Sequence, residues 1–141
     1  MRLGRWLRLL GQDVANPKGS GDEELLLQAK DEKRTIITRD KELFQACRGA
    51  GVECILIRAT KISDQLLEMA KVGIPLQLDP KRCTLCNGPL MEMEISREAA
   101  VPMDPLPKRL WRCGQCQKLY WKGGHWKRIK MILDDIASGK Y

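Results

Sequence analysis

Four of the six cysteines form two C-x-x-C pairs, Cys83 with Cys86 and Cys113 with Cys116. A tetrahedral zinc ion takes four thiolates at about 2.3 Å, and a tight C-x-x-C turn places two sulfur atoms on one side of such an ion. The 26 residues between the pairs exceed the usual gap of about 15–20, which indicates a zinc ribbon with an inserted loop, "SREAAVPMDPLP". Because four thiolates leave no position for water, we predict a structural zinc. The alternative, a redox dithiol, does not explain two pairs without a thioredoxin-like context.

Two aspartates stand where an α/β fold gathers its ligands. Asp40 directly follows the short run "TIIT" and a single arginine, and Asp22 falls in the first turn of the helix before that run. Clustered carboxylates hold the Mg²⁺ or Mn²⁺ ions of phosphodiester chemistry. Both residues also have structural explanations, Asp40 as the N-cap of the next helix and Asp22 as a favourable charge at a helix N-terminus. Two carboxylates are fewer than such a nuclease generally uses, and the local pattern selects no others.

The elements that would position these residues follow from the hydrophobic pattern. An apolar face at i, i+3, i+4 and i+7 predicts a first helix with Leu3, Trp6, Leu7 and Leu10. A β-branched run at residues 34–38 and the run "VECILI" at residues 52–57 predict two buried strands, with helical segments before, between and after them. This alternation predicts an α/β fold with a parallel sheet and flanking helices. Ligands bind outside the carboxyl ends of such strands.

The chain divides into two predicted domains. Residues 1–79 form the α/β domain, and "IPLQLDPK" at residues 74–81 reads as a linker. Residues 80–141 form the zinc ribbon and end in a helical segment, "HWKRIKMILDDIAS".

Charge is concentrated in the second half. The net charge is +7; residues 1–79 hold 13 Lys and Arg against 12 Asp and Glu, whereas residues 80–141 hold 12 against 6. Such an excess favours a polyanion such as RNA or DNA, and equally fits a basic surface without a partner. The chain has no apolar run long enough to span a membrane and no signal-peptide pattern at its start. Because its cysteines are also unlike a secreted disulfide framework, we expect a cytoplasmic protein.

Aromatic and basic residues alternate in "LYWKGGHWKRIK" after the second cysteine pair. Aromatic faces can stack on bases while cations contact phosphates, which makes four residues candidate RNA contacts: Trp121, Lys122, His125 and Trp126. The alternative is that Trp121 and Trp126 pack the ribbon against its neighbour. Arg5 and Arg8, outside the apolar face of the first helix, are further candidate phosphate contacts or a solvated face.

Five segments occur in order along nearly the whole chain: "LGRWLRLLGQDV", "GDEELLLQA", "IITRDKEL", "RCTLCNGPL" and "WRCGQCQKLYWKGGHW". Together they resemble the Mut-seven C-terminal RNase family, in which a PIN-like nuclease domain precedes a zinc ribbon. The resemblance implies a PIN-like parallel sheet with acidic residues at its strand ends, and RNA cleavage with Mg²⁺ or Mn²⁺. It also implies that Asp22 and Asp40 are the matching acidic residues and that the four paired cysteines are the ribbon ligands.

The chain departs from the family pattern at its start. The pattern begins with a short strand ending in an aspartate, a central metal ligand, whereas Met1 stands almost at the first helix. That strand and its aspartate would then be missing from the PIN-like sheet. We expect a start assigned too late or a trimmed chain in preference to a true loss.

These observations favour a metal-dependent ribonuclease whose zinc ribbon aids RNA binding. Two alternatives stay open. The incomplete set of acids also fits a non-catalytic RNA-binding module, and the ribbon alone fits a protein-interaction adaptor. The pattern does not select an RNA substrate, an endo- or exonuclease action, a protein partner or an oligomeric state.

Overall fold

The computed structural model describes residues 2–93, 109–121 and 124–139, except the side chains of residues 124 and 125. The predicted inserted loop at residues 96–107 lies outside the described residues. In chain order the elements are α1 (Arg2–Leu9), α2 (Asp22–Glu32), β1 (Ile36–Thr38), α3 (Lys41–Ala50), β2 (Cys54–Leu56), α4 (Ile62–Lys71), β3 (Leu90–Met93), β4 (Leu110–Cys113), β5 (Leu119–Trp121) and α5 (Gly124–Ala137).

The contacts divide the chain into two compact units. One unit combines residues 1–15 with residues 69–141, and the other consists of residues 16–68. We call them the ribbon unit and the α/β unit. The predicted domain boundary between residues 79 and 80 stays a prediction, because units defined by contacts need not coincide with domains.

The α/β unit is built on two parallel strands joined by a helix. β1 pairs with β2 in the register Ile36↔Cys54 to Thr38↔Leu56, and α3 provides the crossover that parallel strands require. One hydrophobic cluster of this unit contains five buried residues: Ala29, Ile36, Leu43, Cys47 and Val52. The predicted α/β class is confirmed. The PIN-like sheet stays a prediction, because the described residues contain two parallel strands and no more.

The ribbon unit contains an antiparallel sheet of three strands in the order β3-β4-β5. Antiparallel neighbours can be joined by a short turn, and the turn with Cys113 and Cys116 joins β4 to β5. Trp111 on β4 stacks on Trp126 of α5, with ring centroids 5.8 Å apart and an interplanar angle of 3°. The predicted apolar face of α1 is buried at Leu3, Leu7 and Leu10.

Candidate functional site

The first cysteine pair lies in a closed backbone turn, residues 83–88, that we call the first knuckle. The Cys83 amide donates to the carbonyl of Gly88 at 2.9 Å, and the Asn87 amide donates to the carbonyl of Cys83 at 2.9 Å. Asn87 adopts a positive φ of 65°, a conformation that asparagine tolerates better than most residues. The turn therefore brings both thiols of the pair to its inner side.

The second cysteine pair repeats this turn at residues 113–118, the second knuckle. The Cys113 amide donates to the carbonyl of Lys118 at 2.9 Å, and the Gln117 amide donates to the carbonyl of Cys113 at 3.0 Å. Gln117 has a positive φ of 68°, at the position equivalent to Asn87. Two different sequences thus form one turn, because the backbone hydrogen bonds are the same.

The two knuckles bring all four sulfur atoms together. Every pair of Sγ atoms lies within 4.8 Å; Cys83 and Cys116 are 3.6 Å apart, and Cys86 and Cys113 are 3.5 Å apart. A zinc ion with Zn–S bonds of about 2.3 Å places its ligands about 3.8 Å from one another in a regular tetrahedron. These separations are longer than the S–S bond of a disulfide, which is about 2.05 Å, and the cysteines are free thiols. The donor set and its spacing fit a structural zinc ion.

Hydrogen bonds favour the thiolate form of one cysteine in each knuckle. Burial opposes ionisation of Cys83, but bonds from the Tyr120 hydroxyl, at 3.0 Å, and from the amides of Cys86 and Leu85 outweigh it and lower its pKa to about 6. Burial likewise opposes ionisation of Cys113, whose pKa is lowered by the backbone amides of residues 116 and 115 and by neighbouring thiols.

The remaining two cysteines hold their protons more tightly. Burial raises the pKa of Cys86 to about 12, although the Gly88 amide works in the opposite direction. The Lys118 amide favours the Cys116 thiolate, but desolvation and the bonds with Cys113 and Cys83 raise its pKa. Zinc binds thiolates, so metal binding at neutral pH must release the protons of such thiols.

One glycine leaves the space that the metal site needs. A Cβ atom on Gly88 would lie 2.7 Å from Sγ of Cys113 and 2.8 Å from Cβ of Gln115. A Cβ atom on Gly114, in the second knuckle, would meet nothing closer than 3.6 Å. The first knuckle therefore requires glycine for steric reasons, and the second does not.

The first knuckle is also bonded to the segment that follows α1. The carboxamide of Asn87 accepts from the Val14 amide at 2.9 Å and donates to Asp13 at 2.6 Å. The guanidinium of Arg8 donates to the carbonyl of Thr84 at 2.9 Å and to that of Val14 at 2.6 and 2.9 Å. Sequence patterns assign no such role to Asn87; its place directly after a C-x-x-C pair was the available signal.

The structure places Arg8, a predicted RNA contact, in this bonded network with an exposed fraction of 4%. Trp126, another candidate, is also buried, because its ring packs against Trp111. Arg5 is exposed and Trp121 half-buried. Lys122 lies outside the described residues, and for His125 only the helical backbone is described. An RNA contact by any of these six residues stays a prediction.

Tyr120 is a site residue that sequence reasoning assigned only to an aromatic run. Its hydroxyl lies 3.0 Å from Sγ of Cys83 and 3.3 Å from Oγ1 of Thr84. Burial and the bond with Cys83 raise its pKa to about 12, so it stays a hydrogen-bond donor. The signal was the strand alternation, which turns the central residue of β5 towards the metal ligands.

The two candidate catalytic acids lie in the α/β unit. Asp40 is the N-cap of α3, where its Oδ1 accepts from the amides of Glu42, at 2.9 Å, and Leu43, at 3.4 Å. Asp22 lies in the first turn of α2, after the N-cap Gly21. Both aspartates are exposed. The two structural explanations raised by the sequence describe these positions, and the catalytic role stays a prediction.

Within the described ranges, the four knuckle cysteines form the one group of three or more potential metal ligands that converge. The second oxygen of Asp40, Oδ2, has no hydrogen-bond partner among those residues. Mg²⁺ is often bound through one or two carboxylates together with water and substrate phosphates. Asp40 can therefore supply one oxygen ligand without giving up its capping bonds.

No described helix combines the length and the apolar character needed to cross a membrane.

No curated protein and no solved structure gives a significant match to the chain. The family model of the Mut7-C RNAse domain matches residues 1–133, which is most of the 141 residues. The four converging cysteines and the aspartate after a parallel strand accord with this match. The chain belongs to the Mut7-C RNAse domain family.

Proposed function

We propose that this protein is a ribonuclease that cleaves RNA phosphodiester bonds with the help of Mg²⁺ or Mn²⁺ held by Asp22 and Asp40. The observation that carries the proposal is the position of Asp40. It follows β1 at the carboxyl end of a parallel strand, where ligands of α/β folds bind, and the family of the chain is one of RNase domains.

The capping bonds give Asp40 a defined orientation. Two backbone amides fix its Oδ1, and the Asp40 amide in turn donates to the Thr38 hydroxyl at 3.0 Å. A carboxylate held in this way is preorganised, which is what a ligand of a catalytic metal requires. A divalent ion bound there would supply Lewis-acid chemistry to the phosphodiester.

The ribbon unit has a separate role in this proposal. The four knuckle cysteines bind zinc, and the closed thiolate shell holds the ribbon without taking part in cleavage. The basic excess of residues 80–141 attracts RNA, with contacts proposed for Arg5, Trp121, Lys122 and His125. The proposed place of action is the cytoplasm.

The test is cleavage of a labelled single-stranded RNA in Mn²⁺ by the chain and by Asp40→Asn. Asparagine is as good an N-cap as aspartate, so α3 should persist while the metal ligand is lost. We expect cleavage to fall by about 100-fold or more, because a bound metal contributes several kcal/mol. The matched control is Asp31→Asn, which changes an exposed aspartate on α2 instead. This variant should cleave normally.

Equal cleavage by the chain and Asp40→Asn would overturn the mechanism. Absence of cleavage together with salt-sensitive RNA binding would favour a non-catalytic RNA-binding module. The specific observation behind this second candidate is that no group of three carboxylates converges within the described ranges. Absence of both cleavage and RNA binding would favour a protein-interaction adaptor.

A further inference from the structure

Two arginines follow the last hydrogen bond between the parallel strands. The Ile57 amide donates to the carbonyl of Thr38 at 2.8 Å, and Arg39 and Arg58 are the next residues of the two segments. Both side chains are exposed, and neither forms an ion pair or hydrogen bond with the residues that the structure describes. The carboxyl edge of the sheet thus carries two exposed arginines together with the carboxylates of Asp40 and Glu68.

The backbone that carries Arg58 is held by two side chains of α4. The carboxylate of Glu68 accepts from the Arg58 amide at 3.1 Å and from the Ala59 amide at 2.8 Å. Gln65 donates to the carbonyl of Ala59 at 3.0 Å. A long side chain on a fixed backbone loses less conformational entropy on binding than one on a mobile loop.

The backbone that carries Arg39 is fixed by hydrogen bonds of the residues on either side of it. The bond from Asp40 to the Thr38 hydroxyl spans Arg39, and the capping bonds of Asp40 continue directly into α3. Both arginines therefore leave the sheet from ordered backbone on the same edge.

We propose that Arg39 and Arg58 are a pair of phosphodiester contacts that hold the RNA backbone at the carboxyl edge of the parallel strands, beside Asp40. This inference rests on the proposed function and adds the residues that bind the substrate there. Guanidinium groups match phosphate oxygens in charge and geometry. Their two positive charges offset the carboxylates of Asp40 and Glu68, which would otherwise repel a polyanion at this edge.

The α/β unit supplies its own matched control at the opposite edge of the sheet. Lys30 and Arg48 are exposed cations in the last turns of α2 and α3. Because these helices lead into β1 and β2, their last turns lie towards the amino ends of the strands. Removing this pair changes the net charge equally and leaves the carboxyl edge intact.

The experiment measures binding of a fluorescein-labelled mixed-sequence single-stranded RNA by anisotropy, from low to moderate salt, by zinc-loaded chain. Every protein carries Asp40→Asn, so that the RNA stays intact. For Arg39→Gln with Arg58→Gln we expect weaker binding and a slope of log K against log salt that is smaller by about 1.4, at ~0.7 per phosphate contact. Lys30→Gln with Arg48→Gln should leave the slope unchanged, and Arg39→Lys with Arg58→Lys should largely retain it.

If the parent binds RNA and the double variant Arg39→Gln with Arg58→Gln has the same salt slope, the inference is overturned and the proposed function stands. An equal fall in the control pair would also overturn it, since the attraction would then be diffuse. No binding by the parent overturns the proposed RNA binding and this inference with it. If the double variant unfolds, the single variants decide, each with an expected change of about 0.7.

Discussion

The two knuckles of the ribbon unit share one backbone turn but differ in what surrounds it. In the first, Gly88 faces the sulfur atoms, a tyrosine hydroxyl bonds to Cys83, and Asn87 is bonded to residues 13 and 14. In the second, the exposed side chain of Gln117 donates to the nearby carbonyl of Gly114, at 3.4 Å, and to no other described residue. The same turn thus presents two thiols in both knuckles, and the first knuckle has further contacts that the second lacks among the described residues.

The glycine of the first knuckle offers the largest test of this comparison. Gly88→Ala places a methyl group within 3 Å of Sγ of Cys113, and overpacking of this kind costs about 1–3 kcal/mol. We expect the zinc dissociation constant to rise by about 10- to 100-fold. A competition titration against a chromophoric chelator measures it.

Gly114→Ala is the matched control, because its Cβ would make only ordinary van der Waals contacts, the nearest at 3.6 Å. We expect zinc affinity within about twofold of the parent, since exposed substitutions usually have small effects. Equal losses in the two variants would show that the knuckles do not differ in their need for glycine.

The tyrosine hydroxyl gives a smaller effect that depends on pH. Tyr120→Phe removes the bond that helps lower the pKa of Cys83 to about 6. The pKa of this thiol should then rise, so that protons compete with zinc at higher pH than in the parent. We expect about a tenfold loss of zinc affinity near pH 6.5, in line with a hydrogen bond to a charged group, and a smaller loss near pH 9.

Zinc titrations of both proteins at several pH values measure this effect. In the second knuckle, Cys113 has no hydroxyl partner among the residues described, so its thiolate relies on backbone amides and neighbouring thiols. A loss of affinity that is the same at every pH would indicate altered packing of the phenol ring and would remove this part of the contrast.

Local pattern predicted the parts of the molecule that depend on neighbours in sequence. The four cysteines converge as their spacing indicates, and the predicted strands at residues 34–38 and 52–57 contain β1 and β2. The observed strands are shorter than predicted because only residues 36–38 and 54–56 are paired. Capping by Asp40 was also visible, since an aspartate before a helical segment is a common N-cap.

Contacts between distant residues were not visible in the same way. The bond between Arg8 and the Thr84 carbonyl joins residues separated by 76 positions, and no local periodicity encodes it. An arginine outside the apolar face of a helix reads as solvated until its acceptors are known. Trp126 was ambiguous for a related reason, because a small module uses its aromatic rings as core.

The bond between Asn87 and the α1 segment gives the most local test of the comparison. Asn87→Gly removes both carboxamide hydrogen bonds, to the Val14 amide and to Asp13, while glycine accommodates the positive φ. We expect faster hydrogen exchange at the Val14 amide and a free energy of unfolding lower by about 1–3 kcal/mol, with zinc affinity nearly unchanged.

Gln117→Gly makes the same change in the second knuckle, where the side chain's one hydrogen bond to the described part of the chain is the long bond to Gly114. Its effect on stability should be a few tenths of a kcal/mol, with no change at Val14. Exchange measured by NMR and unfolding by urea, both with zinc present, separate the two variants. If Asn87→Gly weakened zinc binding as strongly as Gly88→Ala, the carboxamide would serve the metal site itself. If neither variant changed exchange at Val14, the first knuckle would have no role in holding the residues that follow α1.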